Sequence, residues 1–282
     1  MKIWLNGSIS DARDARIDPA DRGFLLGDGL FETMLALHGH ILFADEHMLR
    51  LGTSSNLIGL PLPYSLAEIE MACADLLDEN EMDEAPRASL RVTVTRGPAP
   101  RGLALPVEPK PTVLITCAAT GEAPVRTSLV TATPRRNPWS PSSRLKALPY
   151  LDNLLAKEEA REKGADDALL LDTNGNIACT SAANIFLWEG DRLVTPSTNC
   201  GILPGITRAA LLELAPEMGI ESREEEIAAA RLARISGAFV TNSLVGIVPV
   251  TNIDGRDIPA HPLTARLAAA YELLLDAADE ED

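Results

Sequence analysis

The sequence predicts a two-domain α/β (α+β) protein, and three observations carry that prediction. The chain has 282 residues, enough for two domains of ordinary size. Short β-branched runs alternate with helical patterns in both halves, which suits neither an all-helical nor an all-β fold. A small, polar, proline-terminated segment at residues 118–124 reads as a linker between an N-terminal α/β domain, residues 1–117, and a C-terminal α/β domain, residues 125–282.

The first half opens with a short strand at residues 2–5 and a polar loop. Gly27-Asp28-Gly29 then leads into an apolar strand at 30–37, and His38-Gly39-His40 reads as a hairpin turn returning through 41–43. Residues 45–58 and 66–80 carry helical spacing, and Ser65 is a suitable N-cap because its hydroxyl can accept an orphan N–H. Two β-rich runs, 90–95 and 112–116, flank a Gly/Pro-rich loop. In the second half a strand at 128–133 precedes a Pro/Ser/Arg-rich loop and a helix at 151–163 with a solvated charged face. Residues 168–171, 184–188 and 193–194, punctuated by turns at Asn174-Gly175 and Glu189-Gly190-Asp191, predict an antiparallel meander. Amphipathic helices at 207–218 and 264–275 and a buried strand at 238–241 follow. The last four residues, Asp279 to Asp282, read as a frayed acidic end.

Composition narrows the partners. A hydrophobic fraction of 46% with 23% charged residues is that of a globular chain. The formal net charge of −16 offers no cationic field for nucleic acid or an anionic membrane, which leaves a small molecule or another subunit. No run approaches the roughly 20 apolar residues of a membrane span, and the polar start argues for a cytoplasmic protein. Cys73, Cys117, Cys179 and Cys200 form no C-x-x-C pair, so neither a zinc site nor a disulfide framework is expected. The four histidines show no metal-ligand spacing beyond the turn pair, and no metal is expected.

Four places hold side chains suited to chemistry. Lys146 has apolar neighbours in Leu145-Lys146-Ala147-Leu148 and precedes a helix, and a lysine in such surroundings loses proton affinity and gains nucleophilicity. On these residues alone a solvated loop lysine is the commoner outcome. Gly201-Ile202-Leu203-Pro204-Gly205-Ile206-Thr207-Arg208 opens a helix with exposed N–H groups and a hydroxyl, which suits either a phosphate or a plain N-cap. Arg50 suits the same phosphate or an acidic side chain. Arg96 and Arg101 lie on a stiff loop fit for carboxylate recognition or for an ordinary surface turn.

The ordered set Asp21-Arg22-Gly23, Gly27-Asp28-Gly29-Leu30-Phe31-Glu32-Thr33, Glu46-His47-Met48-Leu49-Arg50-Leu51, Thr95-Arg96-Gly97, Lys146, Ala182-Ala183-Asn184-Ile185-Phe186, Leu203-Pro204-Gly205-Ile206-Thr207-Arg208 and Pro249-Val250 resembles the class IV aminotransferases over nearly the whole chain. That family includes branched-chain and D-amino-acid aminotransferases and 4-amino-4-deoxychorismate lyase. The resemblance implies an enzyme of fold type IV, D-amino-acid aminotransferase-like, dependent on pyridoxal 5'-phosphate. It further implies two α/β domains with the cofactor between them, and a homodimer whose partner helps close the site. By the same resemblance Lys146 is the catalytic Schiff-base lysine, and Arg50, Ile206 and Thr207 form the phosphate cup. Tyr150, with a one-residue shift, neighbours the cofactor's phenolic oxygen. Arg101 matches a substrate-carboxylate arginine, although Leu103 stands where a partner histidine is usual and Phe31 replaces a tyrosine of that trap.

Cys179 is the sharpest departure. It stands five residues before Asn184, where the family has the glutamate that keeps the pyridine nitrogen protonated. A neutral thiol supplies no such charge, so the electron sink is weaker. An elimination that yields an aromatic product tolerates this better than an ordinary transamination. Gly27-Asp28-Gly29-Leu30-Phe31-Glu32-Thr33 resembles the lyase's N-terminal strand, and Thr241-Asn242-Ser243-Leu244-Val245-Gly246-Ile247-Val248-Pro249-Val250 resembles the lyase pattern, with Asn242 and Ser243 on the substrate side. The first expectation is therefore a lyase that removes pyruvate from 4-amino-4-deoxychorismate to give 4-aminobenzoate. The second is a D-amino-acid or branched-chain aminotransferase acting on a small amine or amino acid, and the third a cofactor-free, non-catalytic relative.

Overall fold

The computed structural model describes residues 1–82 and 84–280. Two compact units divide the chain, the first Met1–Glu122 with Leu145–Pro149, the second Ala123–Arg144 with Tyr150–Asp282.

The first unit contains β1 (Lys2–Leu5), β2 (Ser8–Asp11), α1 (Arg22–Leu26), β3 (Gly29–Leu37), β4 (His40–Ile41), α2 (Ala44–Leu57), α3 (Leu66–Glu79), β5 (Ala88–Thr95) and β6 (Thr112–Ala119). Its six-stranded sheet runs β2-β1-β6-β5-β3-β4. Leu30, Met34, Leu90, Val92 and Ile115 point one way from the strands and bury against Met48, Leu51, Ile69 and Leu76 of the two long helices. That is the period-two and period-3.6 patterning of a sheet covered by helices. Ser65 caps α3 in a full capping box with Glu68. The β3–β4 turn rests on positive φ at His38 (+47°) and Gly39 (+92°).

The second unit contains β7 (Thr127–Arg136), α4 (Leu151–Glu162), β8 (Asp167–Asp172), β9 (Asn176–Thr180), β10 (Asn184–Glu189), β11 (Arg192–Pro196), α5 (Ile206–Glu217), β12 (Ser222–Glu225), β13 (Ile227–Ala228), β14 (Gly237–Asn242), β15 (Gly246–Ile253), β16 (Arg256–Asp257) and α6 (Pro262–Glu280). Its sheet runs β12-β11-β10-β14-β15-β7-β8-β9-β13, with β16 on β15. Phe186 stacks on Phe239 across β10 and β14, with ring centroids 4.9 Å apart, on a fully buried face.

Several expectations change. Both predicted turns of the meander exist, but it is not one continuous ribbon: β8 pairs with β9, whereas β10 pairs with β11 and β14. Turn chemistry fixes a hairpin locally and says nothing of which strand lies on its far side. Helix α1 falls in a stretch whose sequence predicts a loop. Its five residues are too short for a periodic signal, and it is made by the Asp21 cap on the Gly23 N–H and by Gly27 in the left-handed region. The polar β12 is an edge strand. Strand β6 runs through residues 118–119, assigned to the linker. Lys146, assigned to the C-terminal domain, packs with the first unit. There the Phe31 N–H donates to the Lys146 carbonyl (2.9 Å) and the Leu148 N–H to the Gly29 carbonyl (3.1 Å). Of the acidic end, residues 281–282 lie outside those described, and α6 reaches Glu280.

Candidate active site

Lys146 lies alongside the start of β3, and a glycine there is what lets it approach. A Cβ on Gly29 would stand 2.5 Å from the Val94 carbonyl and 2.7 Å from a Leu148 methyl. The Lys146 Nζ sits 4.6 Å from the centre of the Phe31 ring, and the Arg91 guanidinium carbon 3.8 Å from the same ring. Burial, with Arg50 as the next contributor, lowers the Lys146 ammonium to about 8, partly offset by Glu32. A nucleophilic amine is thus available near neutral pH.

On the core face of β3, between Leu30 and Met34, stands a carboxylate that the sequence reading passed over. Glu32 is 1% exposed and takes the Arg50 Nε on Oε1 (2.8 Å) and the Arg50 Nη2 (2.6 Å) on Oε2, which also meets His47 Nδ1 (2.7 Å). Burial alone would raise its pKa, but the bonds from Arg50 and His47 prevail and hold it at about 2. Burial lowers His47, so it serves as a neutral donor. Of the two partners foreseen for Arg50, the structure supplies the carboxylate. The available signal was an acidic residue at an apolar-face position of a strand, matched by His47 and Arg50 one turn apart on α2.

In the second unit the loop before α5 is built around a missing side chain. A Cβ on Gly205 would fall 2.1 Å from the Asn184 Oδ1, and the Asn184 amide donates to the Leu203 carbonyl at 3.0 Å. Ile206 and Thr207 follow as the first residues of α5, both buried, and the Thr207 hydroxyl accepts from the Tyr271 OH at 3.4 Å. N–H groups at this helix start have no intrahelical acceptor. Arg208, from the same motif, turns away to the Pro196 carbonyl (2.9 Å) and Glu224 (2.5 Å).

Cys179 is buried beside Ala178, Cys200 and Ile202, and burial raises its thiol, with Arg136 opposing. It is therefore a neutral thiol at physiological pH. Arg136, also absent from the sequence reading, donates to the carbonyls of Gly201 (3.0 Å) and Ser143 (2.6 Å). Tyr150, Asn153, Ser181 and Asn242 share a cavity of about 480 Å³. The Asn242 side chain is committed locally: its Oδ1 accepts from the N–H groups of Leu244 (2.9 Å) and Val245 (3.1 Å), and its amide donates to the Ala182 carbonyl (3.2 Å). Ser243 is half-buried in the turn those bonds close. Arg101 lies on an exposed loop of the first unit and is not among the charges acting on Lys146. No metal-ligating cluster occurs among the described residues, and no helix among them is long and apolar enough to cross a membrane.

Residues 29–253 match the family model for amino-transferase class IV. A putative branched-chain-amino-acid aminotransferase of Methanocaldococcus jannaschii is 36% identical over 265 residues, covering 92% of this chain and 90% of that protein. The aminodeoxychorismate lyase of Bacillus subtilis is 30% identical over 254 residues, 89% of this chain and 86% of that protein. Among solved structures, the branched-chain amino acid aminotransferase of Escherichia coli superposes with a TM-score of 0.92 at 28% identity, covering 100% of this chain and 96% of that one. The chain belongs to the class IV aminotransferase family and is a pyridoxal-phosphate-dependent enzyme of that fold.

Proposed function

We propose that this enzyme is a 4-amino-4-deoxychorismate lyase, releasing pyruvate and forming 4-aminobenzoate. The observation that carries the reading is the neutral, buried Cys179 thiol where a carboxylate is expected. When bound, pyridoxal phosphate supplies an electron sink for the carbon that bears the substrate amine, and a thiol beside the ring leaves that sink weaker. A reaction drawn forward by aromatisation depends on it less.

The residues suit the cofactor. Lys146 is a desolvated amine able to hold its aldehyde carbon, and the Gly205 cradle with the start of α5 suits its phosphate. In this reading Arg50, fixed by Glu32, adds positive charge for the phosphate, while Ile206 offers a backbone N–H and Thr207 a hydroxyl. Tyr150 and Cys179 border the ring. Lys146 Nζ would take the proton from the ring carbon that bears the substrate amine and give a proton to the departing enolpyruvyl group, which leaves as pyruvate. Phe31 packs against the substrate, Arg101 holds a substrate carboxylate, and Asn242 and Ser243 shape the loop beside it. The reading extends to a homodimer in the cytoplasm.

A second reading, an aminotransferase, draws on the 36% identity to the M. jannaschii protein along 92% of the chain. One assay separates them. Purified enzyme incubated with 4-amino-4-deoxychorismate is expected to yield equimolar 4-aminobenzoate and pyruvate, and to transfer no amino group from D-alanine or L-leucine to 2-oxoglutarate. Amino transfer without 4-aminobenzoate overturns the lyase reading.

A further inference from the structure

The motifs Asp21-Arg22-Gly23 and Gly27-Asp28-Gly29 take no part in the chemistry above, yet they surround the base of the loop that carries Arg101. Asp21 is fully buried and accepts from the Gly23 N–H (2.7 Å) and the hydroxyls of Thr95 (2.8 Å) and Thr112 (2.7 Å), which pins the start of α1 to β5 and β6. A Cβ on Gly23 would lie 2.2 Å from the Thr95 methyl, so only glycine permits this seating. The next residue, Arg22, is 5% exposed. Its Nε donates to Asp28 at 2.7 Å, and its Nη1 reaches the carbonyls of Gly102 (3.1 Å) and Ala104 (3.2 Å), just beyond Arg101. Asp28 is also held by the Arg96 Nε, at 2.9 Å from the Oδ2 that Arg22 meets and 3.1 Å from Oδ1, and Arg96 is tied to the carbonyls of Gly59 (2.7 Å) and Ile58 (3.0 Å). The two ends of the loop cross so closely that a Cβ on Gly97 would stand 1.7 Å from the Lys110 carbonyl.

We propose that Arg22 is a positioning residue for substrate binding: braced by Asp28 and Arg96, it grips the carbonyls of Gly102 and Ala104 and so sets where Arg101 presents its guanidinium to a substrate carboxylate. The proposal rests on the role given to Arg101 above. Charge-assisted bonds from a planar fork to two carbonyls, with the same fork anchored on a carboxylate, hold a loop in one register. Lysine, with all its donors on one nitrogen, cannot replace both the Nε on Asp28 and the Nη1 on the two carbonyls. A loop held in advance also avoids the ordering cost that a mobile one incurs when substrate binds.

The test compares the cofactor-loaded wild-type enzyme with Arg22→Ala, Arg22→Lys and Arg101→Ala. Tryptic cleavage after Arg101, followed by mass spectrometry, is expected to accelerate about tenfold in Arg22→Ala, the scale of losing a charge-assisted bond. KM for 4-amino-4-deoxychorismate, or for D-alanine should aminotransfer be the observed reaction, is expected to rise about tenfold with kcat within about twofold, the signature of lost substrate binding. Arg22→Lys should fall between wild type and alanine, and the visible band of the bound cofactor should stay unchanged. Unchanged cleavage and KM in Arg22→Ala overturn the proposal. If Arg101→Ala itself leaves KM unaltered, the role of Arg101 falls instead, whatever Arg22 does. Should Arg22→Ala fail to fold, Asp28→Asn loosens the same brace and is expected to move both readouts in the same direction, by about threefold. No change in that variant would overturn the proposal equally.

Discussion

The two units handle charge in opposite ways. Around Lys146, the first unit gathers a lysine, an arginine, a glutamate and a histidine, with Arg50 and Glu32 acting on Lys146 and with Arg50 and His47 bonded to Glu32. Around Cys179, the second unit has a thiol among alanine, cysteine and isoleucine side chains, and the arginine that acts on it, Arg136, donates to the backbone carbonyls of Gly201 and Ser143. The lesson is electrostatic. A lysine that must lose its proton near neutral pH needs burial and a neighbouring cation, and that cation in turn needs a carboxylate to hold it in a low-dielectric setting. A neutral thiol asks for none of this.

The strongest way to break the contrast is to remove the amine. Lys146→Ala is expected to abolish the visible band of covalently bound cofactor and to lower turnover at least about 10³-fold, the scale of losing a positioned base, with the far-UV circular dichroism unchanged. A variant that keeps both the band and the activity would remove Lys146 from its role.

Next in size is the charge cluster itself. Glu32→Gln leaves Arg50 and His47 without their carboxylate and should cost about 3–5 kcal/mol in urea unfolding. Because the Glu32 pKa is lowered from 4.5 to about 2, its contribution is complete above pH 4.5 and is lost as pH falls through about 2. The acid limb of the wild-type stability curve should therefore flatten in the variant. Lys146 acts with the opposite sign in the cofactor-free protein. Its pKa, lowered from 10.5 to about 8, makes the unfolded chain the better proton binder between those values, so stability rises with pH across that window. Lys146→Met should erase that rise, and mass-spectrometric amine labelling should show Lys146 reacting with a midpoint near 8.

Smaller effects probe the second unit. Gly205→Ala forces a Cβ to within 2.1 Å of the Asn184 amide oxygen, and the displacement should cost about 1–3 kcal/mol and weaken cofactor affinity measured by fluorescence titration. Cys179→Ser keeps the site neutral and should change stability by less than about 1 kcal/mol and turnover little. A large loss of turnover in that variant would show that the thiol does more than leave the ring without a carboxylate.

Much of the fold was legible one element at a time. Helices α2, α3, α4 and α5, the His38-Gly39 turn and the Ser65 capping box announce themselves through spacing and side-chain chemistry within a few residues. Lys146, Arg50 and Thr207 stood out because lysine, arginine and threonine are unusual in those apolar or Gly/Pro-rich settings. The short strands β9, β12 and β13 did not, since each holds its shape only through the strand beside it.

Local chemistry along the chain thus decided which segments are helical, where the tight turns fall and which side chains are chemically suited to a cofactor-dependent reaction. Tertiary structure decided the pairings. It put the carbonyl of Lys146 on the Phe31 N–H, Arg50 on the core-facing carboxylate of Glu32, and Arg22 on the loop beyond Arg101. The reason is that caps and turns are closed by neighbours in sequence. A strand's partner and the face on which a buried charge finds its counter-charge are instead chosen among distant segments, by whichever arrangement buries the apolar faces and leaves no charge unpaired.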